Sequence, residues 1–456
     1  MSTNQLNKST KTIFCEIEQT PNLQNITSNG VPVWQFLRNV TYSKIQNLDI
    51  DDRIPIQVKI KKILSPKSWS LNPKQSDYVL FTDRNELVES ENGLYIDKIA
   101  QNIINALSKK MLIVVNSLSG FGGTIKNGNS YLDTSYFHFK RRLNNTNKKP
   151  VINQKEKLRH ALDNISLGLE KYQFEKDIQL FFSYHSIFND WLSRINPKAV
   201  FINCGYSLFH QALIYSCSKK NIKTVELQHG LISDGHIQYS PTIDMGKDTF
   251  PDYLLTFSDY HSKFINNNFI NSAKIYPIGH YYREQKKKEK NSNSTQMIQD
   301  LRKKYNKIIL VSSQNIIEQE LFNSVQLLAE RRPNYAFILK QRENSDLNLN
   351  YKNIIVDHNH SIYDFINLVD VNLSCFSTSI LEFLSNKTIG VLMDFGNLAS
   401  DYYATIKKDC NNIFICQNTQ EALSILDQKQ YDYNNPEFYK DNNKQNVESF
   451  LFNILL

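Results

Sequence analysis

Long apolar runs are missing from this 456-residue sequence, and none approaches the roughly 20 residues that span a bilayer. The first residues, MSTNQLNKSTKT, carry no apolar core, so no secretory signal is expected. Cysteine is sparse. The six cysteines, Cys15, Cys204, Cys217, Cys375, Cys410 and Cys416, are scattered and form no CxxC pair, which argues for reduced thiols over a disulfide framework. HExxH and paired-cysteine metal signatures are absent, so no metal is expected. A GxSxG elbow and the kinase signature are absent too. The glycine-rich SLSGFGGT (117–124) lacks the P-loop lysine and the dinucleotide spacing, and reads as a flexible loop. No zinc finger, aromatic-interleaved RNA motif or basic helix accompanies the net charge of +8, so nucleic acid is not an expected partner. An excess of that size suits a nucleotide or lipid-linked phosphate, or an anionic membrane surface. The expectation is a cytoplasmic protein, peripheral at most to the inner face of a membrane.

What is present points to packed cores. Hydrophobic residues make up 41% and aromatics 12%, too much for wholesale disorder. A chain of this length suits two domains. Short apolar runs read as buried strands: 78–82, 111–116, 199–203, 224–227, 252–258 and 274–280. Helical patterns between them cover 96–109, 153–171 and 207–220. Residues 284–304 are charged and nearly free of large apolar groups, which suits a linker. A second series follows, with strands at 307–313, 336–341, 353–357, 371–376, 388–394 and 412–416. Helices are expected at 317–331, 361–368, 379–385 and 444–455. The alternation predicts an α/β chain of two doubly wound, Rossmann-like parallel-sheet domains facing a cleft. The expected boundaries are 1–283, a linker 284–304, and 305–443, with helix 444–455 packing back on the first domain.

In open parallel sheets, ligands bind at the carboxyl ends of strands. Gln228-His229-Gly230 stands at such an end. Glycine permits a tight turn, and histidine acts as a base near neutral pH if a neighbour fixes its tautomer. The alternative is a histidine bonded to nearby backbone. Asp234, His236 and Tyr239 follow closely enough to line the same pocket. In the second half, Ser312, Ser313 and Gln314 end one strand. Ser377, Thr378 and Ser379 end another and open a helix, where amides and hydroxyls either hold a phosphate or cap the helix. Glu382 either bonds a ribose hydroxyl or offsets the helix dipole. Lys340 and Arg342 follow a strand, where they either meet a diphosphate or form a charged loop.

Several segments, in order, resemble the capsule and surface-polysaccharide glycosyltransferases of the GT-B fold, related in pattern to CDP-glycerol glycerophosphotransferases. They are GVPVWQFLR (30–38), INPKAVFINCGY with IKTVELQHGLISDGHIQY, PDYLLTFSDYHSKFI with KIYPIGHYY, and then IILVSSQ, AFILKQRE and HSIYDFINLVDVNLSCFSTSILEFLSNK. A His-Pro element common in that group stands here as Lys340-Gln341-Arg342-Glu343-Asn344, with Arg342 in place of the imidazole contact, and Ser258 replaces a favoured glycine. The resemblance implies a metal-independent, inverting transfer from a nucleotide-activated sugar, a co-substrate and not a bound cofactor. The acceptor would be a surface glycan, free or lipid-linked. His229 would be the base. Gln228, Gly230, Asp234, His236 and Tyr239 would bind substrate, and the second-half residues the donor. Two alternatives stay open: a CDP-polyol phosphotransferase on the same fold, and a non-catalytic scaffold of a polysaccharide assembly complex.

Overall fold

The computed structural model describes residues 10–45, 75–90, 92–117, 121–128, 131–143, 149–163, 169–288, 292–314, 317–341, 351–386 and 388–455. Numbering only the strands of the two large sheets, the first sheet holds β1 (Tyr78–Asp83), β2 (Met111–Asn116), β3 (Tyr131–Asp133), β4 (Ala199–Ile202), β5 (Lys223–Leu227), β6 (Tyr253–Thr256) and β7 (Ile275–Pro277). The second holds β8 (Lys307–Ser312), β9 (Tyr335–Lys340), β10 (Ile354–Val356), β11 (Val371–Ser374), β12 (Ile389–Met393) and β13 (Ile413–Cys416). Adjacent strands in both sheets pair in parallel. A parallel sheet is covered on both faces, so its strands are continuous apolar runs. Every residue of β4 and β12 is buried.

The lateral orders are β7-β6-β5-β4-β1-β2-β3 and β10-β9-β8-β11-β12-β13. Each sheet starts at its middle, winds outward, returns, and winds out the other way. This is the doubly wound α/β architecture expected from the sequence. The winding reverses between β1 and β4 and between β8 and β11, where such sheets leave a crevice at their carboxyl ends.

Some elements differ from expectation. The pattern at 96–109 divides into a strand, Leu94–Asp97, and a helix, Gln101–Leu107. Asp97 Oδ1 makes the break by accepting from the Ile99 and Ala100 amides at 2.9 and 2.7 Å. Within the charged stretch 284–304, the described residues are helical, in Tyr281–Lys288 and Ser292–Arg302. Tyr281 and Tyr282 are buried at the start of the first helix, and Lys288 reaches Glu284 one turn back at 2.9 Å.

After β13 the chain crosses back. Helix Asn443–Phe450 sets Val447 and Phe450, with Leu451 beyond, against Leu255, Ile278, Ile103 and Ile104 of the first half. Gly279 permits the crossing: its φ is +84°, and a Cβ there would lie 2.2 Å from the Lys440 carbonyl oxygen. The two halves also share a core, in which Ile232, Ile237 and Phe264 cluster with Ile380, Leu381, Tyr403 and Ile406. Along this seam a Cβ on Gly235 would lie 2.1 Å from the Asp401 carbonyl oxygen. The Tyr42 and Tyr402 hydroxyls meet across it at 3.1 Å. Among the described residues no helix is long and apolar enough to cross a membrane.

Candidate functional site

A cavity of about 520 Å3 lies between the carboxyl ends of the two sheets. The first half supplies Asn85 and Glu86 beyond β1, Tyr206 beyond β4, and His229, Gly230 and His236 beyond β5. Strand β5 ends at Leu227 because Gln228 turns inward. Its side-chain Nε2 donates to the Gly230 carbonyl at 2.9 Å, and its Oε1 accepts from the Phe257 backbone amide at 2.7 Å. That brace sets the backbone from which His229 projects into the cavity.

His229 is partly buried. Its Nε2 lies 3.2 Å from the Tyr206 hydroxyl, while Nδ1 is sealed from solvent near backbone carbonyls and, among the described residues, meets none in full hydrogen-bond geometry. Burial lowers its pKa, opposed by the negative charge of Glu86 and by the backbone carbonyls of Asn203 and Leu227. The ring is therefore mainly neutral at pH 7, the form that accepts a proton. His236 is also neutral, its pKa pushed down to about 4 by burial. Its Nδ1 donates to the Leu231 carbonyl at 2.7 Å, which assigns the proton to Nδ1 and leaves Nε2 as the acceptor.

The second half supplies hydroxyls and one acid. Ser312 ends β8, Ser313 and Gln314 follow it, and Ser377, Thr378 and Ser379 follow β11. Ser377 and Ser379 hydroxyls pair at 2.9 Å. Ser313 donates to Glu318 at 2.6 Å, Ser312 accepts from Asn372 at 2.7 Å, and Gln314 accepts from the Phe376 amide at 3.1 Å. Thr378 Oγ1 accepts from the Leu231 amide at 3.1 Å, so this wall is tied to the histidine loop of the other half. The helix opened here, Ser379–Leu384, is only six residues, so its dipole is small and the hydroxyls and local amides dominate. Thr378 makes no capping bond within it.

Glu382 is 6% exposed. Its Oε1 accepts from the Tyr363 hydroxyl at 3.0 Å, and among the described residues its Oε2 has no partner. Burial pushes its pKa up to about 7, opposed by the Tyr363 bond and the charges of Arg283 and Lys98. Near neutral pH it exchanges between donor and acceptor at a position facing the cavity.

No protein-family profile matches the sequence, and no curated protein matches it. Solved structures do match. The S. aureus MnaA–UDP co-structure aligns at a TM-score of 0.53 and 12% identity, covering 82% of this chain and 95% of that one. The fold is GT-B-like. The Neisseria meningitidis UDP-GlcNAc 2-epimerase bound to UDP-GlcNAc aligns at 0.47 and 14% identity over 82% and 99% of the two chains. The wall teichoic acid polymerase TagF aligns at 0.42 and 12% identity over 92% and 93%.

Within the GT-B-like frame, most expected site residues meet: His229, Gly230, His236, Ser312, Ser313, Gln314, Lys340, Ser377, Thr378, Ser379 and Glu382 all line the cleft. Others do not. Gln228 is buried and holds the loop instead of lining the cavity. Tyr239 is 1% exposed, with its hydroxyl turned inward to Glu226 at 2.9 Å. Asp234 faces a separate pocket, where it pairs with Lys11 at 3.6 Å. Lys340 reaches the cleft wall, but its ammonium is held by the Asp357 carboxylate at 2.8 Å, the Asp357 carbonyl at 2.6 Å and the His360 carbonyl. An ammonium has three donors, so none remains for a diphosphate. Arg342 lies outside the described residues. Tyr206, Tyr363 and His280 line the cleft without having been expected there. Tyr206 ends INCGY after β4 and His280 ends KIYPIGH after β7, so strand-end position was their available signal.

Proposed function

We propose that the chain transfers a group from a nucleotide-activated donor to an acceptor hydroxyl, with a nucleotide sugar as donor and a surface glycan as acceptor. One observation carries this reading: a neutral histidine from one sheet and a hydroxyl cluster with an unsatisfied buried acid from the other face a single cleft. The second-half wall is suited to the donor. Ser377, Ser379 and neighbouring amides meet a phosphate, and Glu382 Oε2 meets a sugar or ribose hydroxyl. The resemblance of residues 224–239 to surface-polysaccharide transferases supports the glycan acceptor, free or lipid-linked.

His229 takes the acceptor proton. Because Nδ1 is sealed, Nε2 is the atom that meets substrate, in place of the Tyr206 hydroxyl or through it. The acceptor oxygen bonds to the anomeric carbon as the carbon–oxygen bond to the donor phosphate breaks, and the electron pair leaves on the nucleotide phosphate. A single displacement of this kind inverts the anomeric centre. Hydroxyl and amide dipoles fixed before the reaction stabilise the leaving charge. No metal is required in this scheme.

A thermal-shift screen of CMP, CDP and UDP compounds tests the donor side, and His229→Ala the base. Stabilisation by one nucleotide, with turnover falling roughly 10²–10⁴-fold in His229→Ala, is the expected result. A donor that proves to be a CDP-polyol would redirect the reading to phosphotransfer. A decisive loss in His236→Ala with normal turnover in His229→Ala would move the base to His236. The absence of any nucleotide effect would favour a scaffold and sink the transferase reading.

A further inference from the structure

We infer that a second cavity, beside the helices joining the two halves, binds a phosphate group carried on a small molecule. It measures about 360 Å3, and its polar lining comprises Arg283, Lys286, Lys287, Thr295, Asn367 and Asn386 together with the carboxylate of Asp364, beside Ile366 and Leu368. These residues come from three directions: helix Tyr281–Lys288, helix Ser292–Arg302, and the second half.

Arg283 carries the argument. It is 5% exposed, yet among the described residues its guanidinium has neither a hydrogen bond nor an ion pair, and its Nε is buried without a partner. It lies over the Tyr439 ring at 4.6 Å, a contact that offsets only part of the lost hydration. Its field favours the Glu382 carboxylate, but it does not bond that group. A guanidinium has five donors and cannot lose its proton, so burial without an anion is costly. The neighbouring cations are already matched: Lys286 pairs with Asp364 at 3.6 Å and Lys287 with Asp441 at 3.4 Å. Arg283 is thus the unmatched charge at a cavity large enough for an anion.

The chemistry favours phosphate over carboxylate. The Arg283 guanidinium, a hydroxyl and two amides approach from separate elements, and the two ammonium groups, although each shares a carboxylate, still have donors to spare, so the wall stays net positive with Asp364 counted. A tetrahedral oxyanion presents acceptors in several directions, whereas a planar carboxylate presents two in one plane. The volume exceeds what one phosphate fills, which leaves room for an attached polyol or sugar. Tyr363 lines both this cavity and the cleft, so the occupant would stand one side chain from Glu382. The inference is independent of the reaction proposed for the cleft.

Phosphorus NMR titration of inorganic phosphate at constant ionic strength, against chloride, tests it. The full chain is compared with Arg283→Gln, with Lys286→Gln/Lys287→Gln, and with Ser377→Ala/Ser379→Ala. The expected result is saturable binding with a Kd of roughly 1 mM, the range of a small fragment. It should be lost in the first two variants and kept in the serine variant. Should Arg283→Gln not fold, the lysine variant decides, since those side chains are 21% and 41% exposed. Undiminished binding in the lysine variant, loss in the serine variant, or no saturation by about 10 mM would each overturn the assignment.

Discussion

Glu382→Gln removes an ionisable group from the cleft wall while keeping its shape and its bond from Tyr363. Burial holds the carboxyl at a pKa of about 7, against an ordinary 4.5. The folded protein therefore keeps a proton that the unfolded chain releases as pH rises past 4.5. Below that pH both states are protonated and the group has no net effect. Through the window from 4.5 to about 7, rising pH favours the unfolded state, and the loss is complete above it. At about 1.36 kcal/mol per pH unit, the gap amounts to about 3 kcal/mol, an upper figure because water entry and side-chain relaxation reduce it. Glutamine carries no such penalty. Buried histidines act in the opposite sense: His210, His236 and His261 are held near 4 and His280 near 3, which costs stability as pH falls through the ordinary histidine range. They are common to both proteins, so comparing the two at each pH cancels them. Urea unfolding of wild type and variant from about pH 4.5 to 8 should show the variant gaining steadily, by up to about 3 kcal/mol. A difference that stays constant across that range would refute the account of Glu382.

Three further outcomes follow from contacts described above. Gly235→Ala forces a methyl against the Asp401 carbonyl and should cost roughly 1–3 kcal/mol, read as a lower Tm; an unchanged Tm would mean the seam is not closely packed there. Lys340→Gln strips Asp357 of its ammonium partner and should cost roughly 3 kcal/mol while nucleotide affinity barely changes, whereas a stable variant with lost affinity would restore Lys340 as a donor ligand. Thr378→Val leaves the Leu231 amide without its acceptor and should cost roughly 1–2 kcal/mol by chemical denaturation, with no loss if water replaces the hydroxyl.

Every strand of the two sheets but β3 was legible as a short, largely apolar run, and order along the chain then dictates double winding; β3, only Tyr131–Asp133 and ending in an aspartate, offers no such run. The longest helix, Phe174–Ile195, lies outside the expected set although Phe174, Ile178, Phe181, Phe188, Trp191 and Ile195 recur at helical spacing. The site was legible where strand-end position alone decides the outcome, as for His229 and Ser377. It was not legible inside one loop: His236 and Tyr239 are three residues apart, yet the short turn at Ile237–Tyr239 sends one to the cleft and the other to Glu226. Nor could the fate of Lys340 be read, because Asp357 reaches it only through the pairing of β9 with β10. Tyr206 and Tyr363 join the cleft from separate sheets, which no local pattern reports.

The return of helix Asn443–Phe450 to the first sheet has a consequence during synthesis. The second half is contiguous and can close its own sheet as soon as β13 has left the ribosome. The first half, although made earlier, leaves Leu255 and Ile278 uncovered until Val447 and Phe450 arrive. The roughly 170 residues between Ile278 and Val447 take on the order of ten to thirty seconds to translate, so the first sheet waits for a segment made after the second sheet. Through that interval an apolar surface stands uncovered, which makes the docking of residues 443–455 a step in folding as well as a structural element.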